Sequence, residues 1–202
     1  MWNKYTVAVT LVEPLLGVTP KNPEVYKAWI AAKQAEAKGD EGTPEYTEDR
    51  SWTGFCCDDK GLYLMDYHLK GYFKEVAAVM PEILGMKRKS GEFMAQQTIK
   101  SRLDNWLFVG PRKIYLGRKQ PDGYIERPLR AQTLQGARIA LARSDYVNAG
   151  TVINFTLTIL ASCLIKQDHL EAWLAYGEMK GLGQFRTGGY GRFNQVSLSP
   201  IA

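Results

Sequence analysis

The stretch Gly181 to Phe193, GLGQFRTGGYGRF, concentrates the residues of this chain best suited to holding an anion. Six of the 19 glycines fall between Gly177 and Gly191. Glycine reaches backbone angles other residues avoid and lets a second backbone or a ligand approach closely. Gly181, Gly183, Gly189 and Gly191 form the pattern GxGxxxxxGxG, with Arg186 and Arg192 beside it. Amides freed from regular structure, next to guanidinium groups, suit a phosphate-bearing ligand. The competing reading is a flexible turn; the glycine density, the two arginines and the aromatic spacers Phe185, Tyr190 and Phe193 argue against it. The pattern predicts a helix over 168–180, with Leu170, Trp173, Leu174 and Gly177 on one face and Asp168 able to cap its start. A short strand containing Phe193, Val196 and Leu198 follows. A dinucleotide-binding fold needs its glycines between a strand and a following helix, and the GxGxxG spacing fails at Arg186. No GxxxxGK[ST] loop exists either, so no nucleotide cofactor is expected.

Other chemistry is sparse. The two histidines are His68 and His169, and His68 lies near a further expected phosphate contact, Lys70. An imidazole there has the proton affinity for acid–base work. His169 falls at a helix start, where a structural role is the default. No Ser/His/Asp set or paired-acid constellation is evident. Cys56, Cys57 and Cys163 are an odd set with no C-x-x-C, so neither a metal site nor a disulfide framework is expected, and a reducing, cytoplasmic setting is. No apolar run of 18 residues predicts a membrane span, and Lys4 interrupts the first apolar stretch, against a signal peptide. With 202 residues, 45% hydrophobic and 23% charged, the chain is expected to form a single domain over 1–202; its net charge of +5 permits an anionic partner.

In chain order, Tyr5, Val7, Val9 and Leu11 alternate with Thr6, Ala8 and Thr10, predicting a strand over 4–13 that Pro14 ends. A helix is expected from Asn22-Pro23-Glu24 to Gly39, then an acidic loop over 40–52. Leu62–Tyr67 reads as a strand, and a helix follows from Leu69 to about Met80, with Leu69, Phe73, Val76 and Met80 facing the core and Pro81 stopping it. Lys87-Arg88-Lys89 reads as solvated surface. A second helix is expected from Phe93 to about Trp106, using Ile99 and Leu103. Residues 108–130 read as two strands around the turn Gln120-Pro121-Asp122-Gly123. That hairpin carries Arg112, Lys113, Arg118, Lys119, Arg127 and Arg130 with Tyr115 and Tyr124 interleaved. It is either an ordinary exposed hairpin or an arm that reaches onto nucleic acid, phosphates meeting cations and bases meeting tyrosines. Strands follow over 139–147 and 151–160; in the second, Val152, Phe155, Leu157 and Ile159 are only partly in phase. Two strand–helix–strand halves imply an α+β fold with a ferredoxin-like sheet.

Three separated stretches resemble the RAMP superfamily of CRISPR-associated proteins. Leu11–Gly17, ending Pro14-Leu15-Leu16-Gly17, is similar to the end of that family's first strand. His68-Leu69-Lys70-Gly71-Tyr72-Phe73-Lys74 resembles its "xKGxxR" start of the first core helix, with Lys74 where arginine is common. Gly181–Gly191 resembles its C-terminal glycine-rich loop. The nearest likeness is to the backbone subunit that lines the guide RNA in multisubunit effectors. It implies an RRM-like palm with inserted helices and a projecting β-hairpin, the insertions falling at about 18–60 and 108–130. It further implies sequence-independent binding of a guide RNA, beside other copies of the chain or other effector subunits. Lys70, Lys74, Arg112, Lys113, Arg118, Lys119, Gly181, Gly183, Arg186, Gly189, Gly191 and Arg192 would contact RNA. Two alternatives stand beside this: a metal-independent, guide-processing endoribonuclease using His68, and a stand-alone interaction protein, viral or otherwise, that reuses the fold.

Overall fold

The computed structural model describes residues 1–21, 52–82, 84–85, 96–133 and 136–201. The helix and loop expected over 22–51, the basic run Lys87-Arg88-Lys89 and the start of the second helix at Phe93 lie outside these residues. The strands are β1 (Trp2–Leu11), β2 (Leu15–Leu16), β3 (Thr19–Pro20), β4 (Trp52–Gly54), β5 (Cys56–Asp58) and β6 (Gly61–Met65). Helices α1 (Asp66–Val79) and α2 (Gln96–Trp106) follow, then strands β7 (Leu107–Gly110), β8 (Lys113–Tyr115), β9 (Gly123–Thr133), β10 (Gly136–Val147) and β11 (Val152–Leu160). Helices α3 (Gln167–Ala175) and α4 (Gly177–Lys180) precede the last strand, β12 (Phe193–Ile201).

The central sheet has the order β12-β1-β11-β7, with every neighbouring pair antiparallel. Two split strand–helix–strand units produce it: β1 and β7 flank β11, and β11 and β12 flank β1. This is the ferredoxin-like arrangement expected, and the chain is an α+β protein. In β1, Val7, Val9 and Leu11 are buried, following the two-residue alternation of a pleated strand. In β11 the buried residues are Ile153, Phe155, Leu157 and Ile159, while Val152 turns outward. The odd-numbered phase corrects the mixed reading of that strand.

Helices α1 and α3 cover the inward side chains. Leu69, Phe73, Val76 and Ala77 form the buried stripe of α1, and Leu170, Trp173 and Leu174 that of α3. Their rings meet in one aromatic cluster: Phe73 lies edge-on to Phe155, and Tyr72 edge-on to Phe193. The Tyr72 hydroxyl donates to the Trp173 carbonyl at 2.6 Å, which satisfies a buried phenol and ties the two helices together. Burial, with Tyr176 nearby, pushes that hydroxyl well above its ordinary titration range. Ile99 and Leu103 of α2 are buried, as expected.

Three sequence expectations are corrected here. The chain bends at Gln120 and Asp122 before Gly123 opens β9, but the strands on either side do not pair with each other. β8 pairs with β6, and β9 pairs with β10 over Gly123–Thr133 and Gly136–Tyr146. The long hairpin therefore spans 123–147 rather than 108–130, because β9 finds its edge downstream. β10 also carries β2 and β4 on its C-terminal half. Helix α1 begins at Asp66, earlier than Leu69. Asp168 does not cap α3: the cap position is Lys166, whose backbone N–H donates to His169 Nδ1 at 3.2 Å.

Candidate functional site

The glycine loop leaves α4 at Gly181, makes a single 3₁₀ turn over Arg186–Gly188, and enters β12 at Phe193. Gly181, Gly183, Gly189 and Gly191 all have positive φ, between +70° and +88°. Two of them show why. A Cβ on Gly191 would strike the Leu182 carbonyl oxygen, and one on Gly181 would strike the Tyr190 carbonyl oxygen. The two arms of the loop thus pass backbone against backbone, closed by Leu182 N–H donating to the Gly191 carbonyl at 2.8 Å. The loop then docks on the segment after β1. Gly191 N–H donates to the Pro14 carbonyl at 2.8 Å, and Gln184 N–H to the Leu16 carbonyl at 3.4 Å. Gly189 differs: the nearest atoms to an added Cβ are those of the Arg192 guanidinium, 3.5 Å away. With Gly188 and Gly189 N–H donating to Phe185 and Arg186 carbonyls, much of the loop's amide set is engaged internally, in contrast to the free amides expected.

Opposite the loop stands α1. Spaced i, i+3, i+4 and i+7, His68, Gly71, Tyr72 and Glu75 share one helix face. They line a cleft of about 200 Å³ whose other wall includes Leu182, Gly183 and Arg186. Arg186 crosses to Glu75 with two hydrogen bonds, Nη1 to Oε2 at 2.8 Å and Nη2 to Oε1 at 3.1 Å. Lys180 Nζ adds a contact to Glu75 Oε2 at 3.1 Å. Burial pushes the Glu75 carboxyl up, but the hydrogen bonds from Arg186 and Lys180 outweigh it, and the group sits below its ordinary value. Gly71 has open space where a Cβ would stand.

His68 enters the cleft in a fixed form. Its Nδ1 accepts the Met65 backbone N–H at 3.3 Å, so in the neutral ring the proton is on Nε2. Burial pulls its pKa down, only partly offset by Asp66, which favours that neutral ring. His169 makes the same bond at the start of α3, with its own pKa lowered by burial and by Lys166 against Asp168. Both histidines occupy the third helical position and cap the first turn.

The remaining expected cations are dispersed. Lys70 and Lys74 leave α1 on the side of α2. Lys70 Nζ donates to the Asp104 carbonyl at 3.0 Å and lies 4.9 Å from the Phe108 ring centroid; Lys74 pairs with the Asp104 carboxylate at 2.8 Å. The structure therefore does not bring Lys70 to the glycine loop. Arg112 pairs with Asp66 at 2.9 Å, Lys113 with Asp58 at 2.6 Å, and Arg118 with Asp122 at 3.7 Å. Lys119 is exposed, and its carbonyl accepts a long contact from Cys57 Sγ. Arg192 lines a second opening with Glu13, Gly189 and Tyr190, its Nε buried without a hydrogen-bond partner.

Sequence reasoning missed the partners that hold the loop in place. Gln184 Oε1 accepts from Thr53 Oγ1 and Ser144 Oγ, both at 2.8 Å, and from Arg127 Nη2 at 3.4 Å. Arg127 is contributed by β9, so the loop is clamped between the helical layer and the hairpin. Glu75 was equally invisible, standing 111 residues from its partner Arg186. Among the described residues no group of three metal-ligating side chains comes together, and no helix is long and apolar enough to cross a membrane.

No family model matches this chain, and no curated protein matches it. Among solved structures it is similar to a chain of the "Cryo-EM structure of the Type III-B Cmr-beta bound to cognate target RNA". The TM-score is 0.50 at 11% sequence identity, over 99% of this chain and 61% of that one. The likeness is one of fold, and this chain spans about three-fifths of that neighbour's length.

Proposed function

We propose that this chain binds the backbone of a guide RNA without regard to sequence, as a backbone subunit of an RNA-guided effector complex. The observation that carries the reading is Arg186, held by the glycine loop across the cleft from the first core helix, in a fold like that of a chain from an RNA-bound assembly. A guanidinium already engaged bidentately with a carboxylate presents the geometry a phosphate takes. Exchange of Glu75 for a phosphate would leave Glu75 with Lys180, so the carboxylate keeps a cationic partner. Contacts of this type go to phosphates, position the strand and carry no base information. Neighbouring copies or other subunits would continue the RNA path beyond one chain.

The test is a titration of unrelated single-stranded RNAs at several salt concentrations, with the unaltered protein and Arg186→Ala. Affinities should agree across sequences, and Arg186→Ala should flatten the salt slope by about 0.7. Failure of the unaltered protein to bind RNA would overturn the reading in favour of a stand-alone interaction protein. Metal-independent cutting abolished by His68→Ala would replace it with the endoribonuclease.

A further inference from the structure

Phe185 is the one non-glycine residue with positive φ among the described residues, at φ 52° and ψ 42°. A bulky side chain avoids this region, and where one is held there the surroundings must fix it. Here they do. Gly188 leaves room for the ring: a Cβ at that position would collide with ring atoms Cε1, Cδ1 and Cζ. The Tyr190 ring lies 5.8 Å away, tilted by 31°. The Arg127 guanidinium stands over the Phe185 ring at 4.4 Å from its centroid. That guanidinium is itself oriented, by Ser144 Oγ at 3.1 Å and Gln184 Oε1 at 3.4 Å. Despite this support, Phe185 remains 41% exposed.

A ring placed for core packing would be covered, and a ring left over from a flexible loop would not be propped on three sides. We infer that Phe185 is a stacking platform for one unpaired base of single-stranded RNA, with Arg127 as the cation behind the ring. This rests on the RNA reading above and adds the kind of contact that reading lacks. Every base has a π-face, so stacking tolerates all sequences, as phosphate contacts do. Phe185 directly precedes Arg186, so consecutive residues would engage a base and a phosphate. An exposed aromatic can also anchor a protein partner, but oriented arginines at its back and inside the adjoining cleft favour a polyanion.

The experiment is a cycle between side chain and base. Binding of a short oligouridylate is compared with binding of the same oligomer carrying abasic riboses, for the unaltered protein, Phe185→Ala and Phe185→Leu. Leucine retains apolar bulk against Gly188 and Arg127 but has no π-face, and thermal unfolding checks that each variant is folded. Both variants should weaken oligouridylate binding roughly five- to hundred-fold, leave the abasic oligomer's binding unchanged, and preserve the salt slope, since no charge is altered. Equal losses on both oligomers would make the ring merely structural and overturn the inference. So would a leucine variant that binds oligouridylate as well as the unaltered protein. RNA binding that is indifferent to both substitutions would sink the platform while leaving the RNA reading intact. A protein that binds neither oligomer would sink both.

Discussion

Glu75→Gln separates the two roles of the ion pair in the cleft, because it should move stability and RNA affinity in opposite directions. The substitution keeps the side chain's length and removes its charge. In the fold, that charge receives two hydrogen bonds from Arg186, at 2.8 and 3.1 Å, and one contact from Lys180 at 3.1 Å. Breaking a fully buried pair costs about 3–5 kcal/mol, and an exposed pair is worth about 0.2–1. These three side chains are 31–34% exposed, so the buried-pair figure must be reduced for solvent screening and the loss falls between, at about 1–2 kcal/mol. At about 2–4 °C per kcal/mol for a chain of this size, the melting temperature should drop by roughly 2–8 °C. The sign follows from Glu75's depressed pKa. Its contribution is present above the ordinary value of 4.5 and is lost as pH falls through the folded value, so the gap between variant and parent should close in acid. Affinity should change the other way. Removing a carboxylate next to an incoming phosphate relieves about 1 kcal/mol of repulsion at solvent-like screening, or roughly fivefold tighter RNA binding. Differential scanning fluorimetry and fluorescence anisotropy measure the two quantities. A variant that loses stability and also binds RNA more weakly, or equally well, would show that Arg186 is a strut rather than a phosphate ligand.

Further outcomes follow from the backbone and the caps. Among the glycines, Gly191→Ala should lose about 3 kcal/mol or more, combining a backbone clash with left-handed strain; Gly189→Ala should lose only the strain, about 1–2 kcal/mol. Gly71→Ala should gain about 0.5–1 kcal/mol in denaturant unfolding, since it sits mid-helix with open space beside it. For the histidines, the lowered pKa values mean stability is complete above the ordinary value of 6.5 and declines as pH falls through the folded values, where protonation would turn each Nδ1 acceptor into a donor. A double variant His68→Gln, His169→Gln keeps an acceptor at each cap. Its thermal unfolding should lose the decline in stability below pH 6.5 expected of the parent.

What was legible in the sequence is what local periodicity encodes. The alternation of Val7, Val9 and Leu11, and the helical stripes of Leu69–Phe73–Val76 and Leu170–Trp173–Leu174, each name a buried face without knowledge of the partner. Pairing between distant strands has no such local signature. The bend before Gly123 was readable, but nothing near it says that β8 joins β6 while β9 joins β10. The site divides along the same line. That four glycines were needed was visible; that Gly181 and Gly191 serve the loop's own closure depends on the opposed carbonyls of Tyr190 and Leu182. The helical wheel separates Lys70 and Lys74 from His68 and Glu75, yet it does not tell which face meets α2 and which meets the loop.

The two halves of the sheet explain why the cleft forms where it does. Each is a strand–helix–strand unit, and each helix opens with a histidine at its third position accepting a backbone N–H from its cap residue. They diverge after the helix. In the first half α2 follows, and Asp104 fastens it to α1 through Lys70 and Lys74. In the second half the glycine loop follows, fastened to α1 through Arg186 and Glu75. Helix α1 is therefore held on two flanks by charge while its buried stripe is held by Phe73 and its neighbours. On the loop side Lys180 shares Glu75 with Arg186, so the carboxylate has a second cation in reserve. An anion that takes Arg186 can be accommodated by a shift of one ion pair, with the Asp104 contacts, the aromatic cluster and the sheet register unchanged. On the RNA reading proposed above, a phosphate would therefore meet the loop side of α1, where one ion pair can shift, rather than its lysine side.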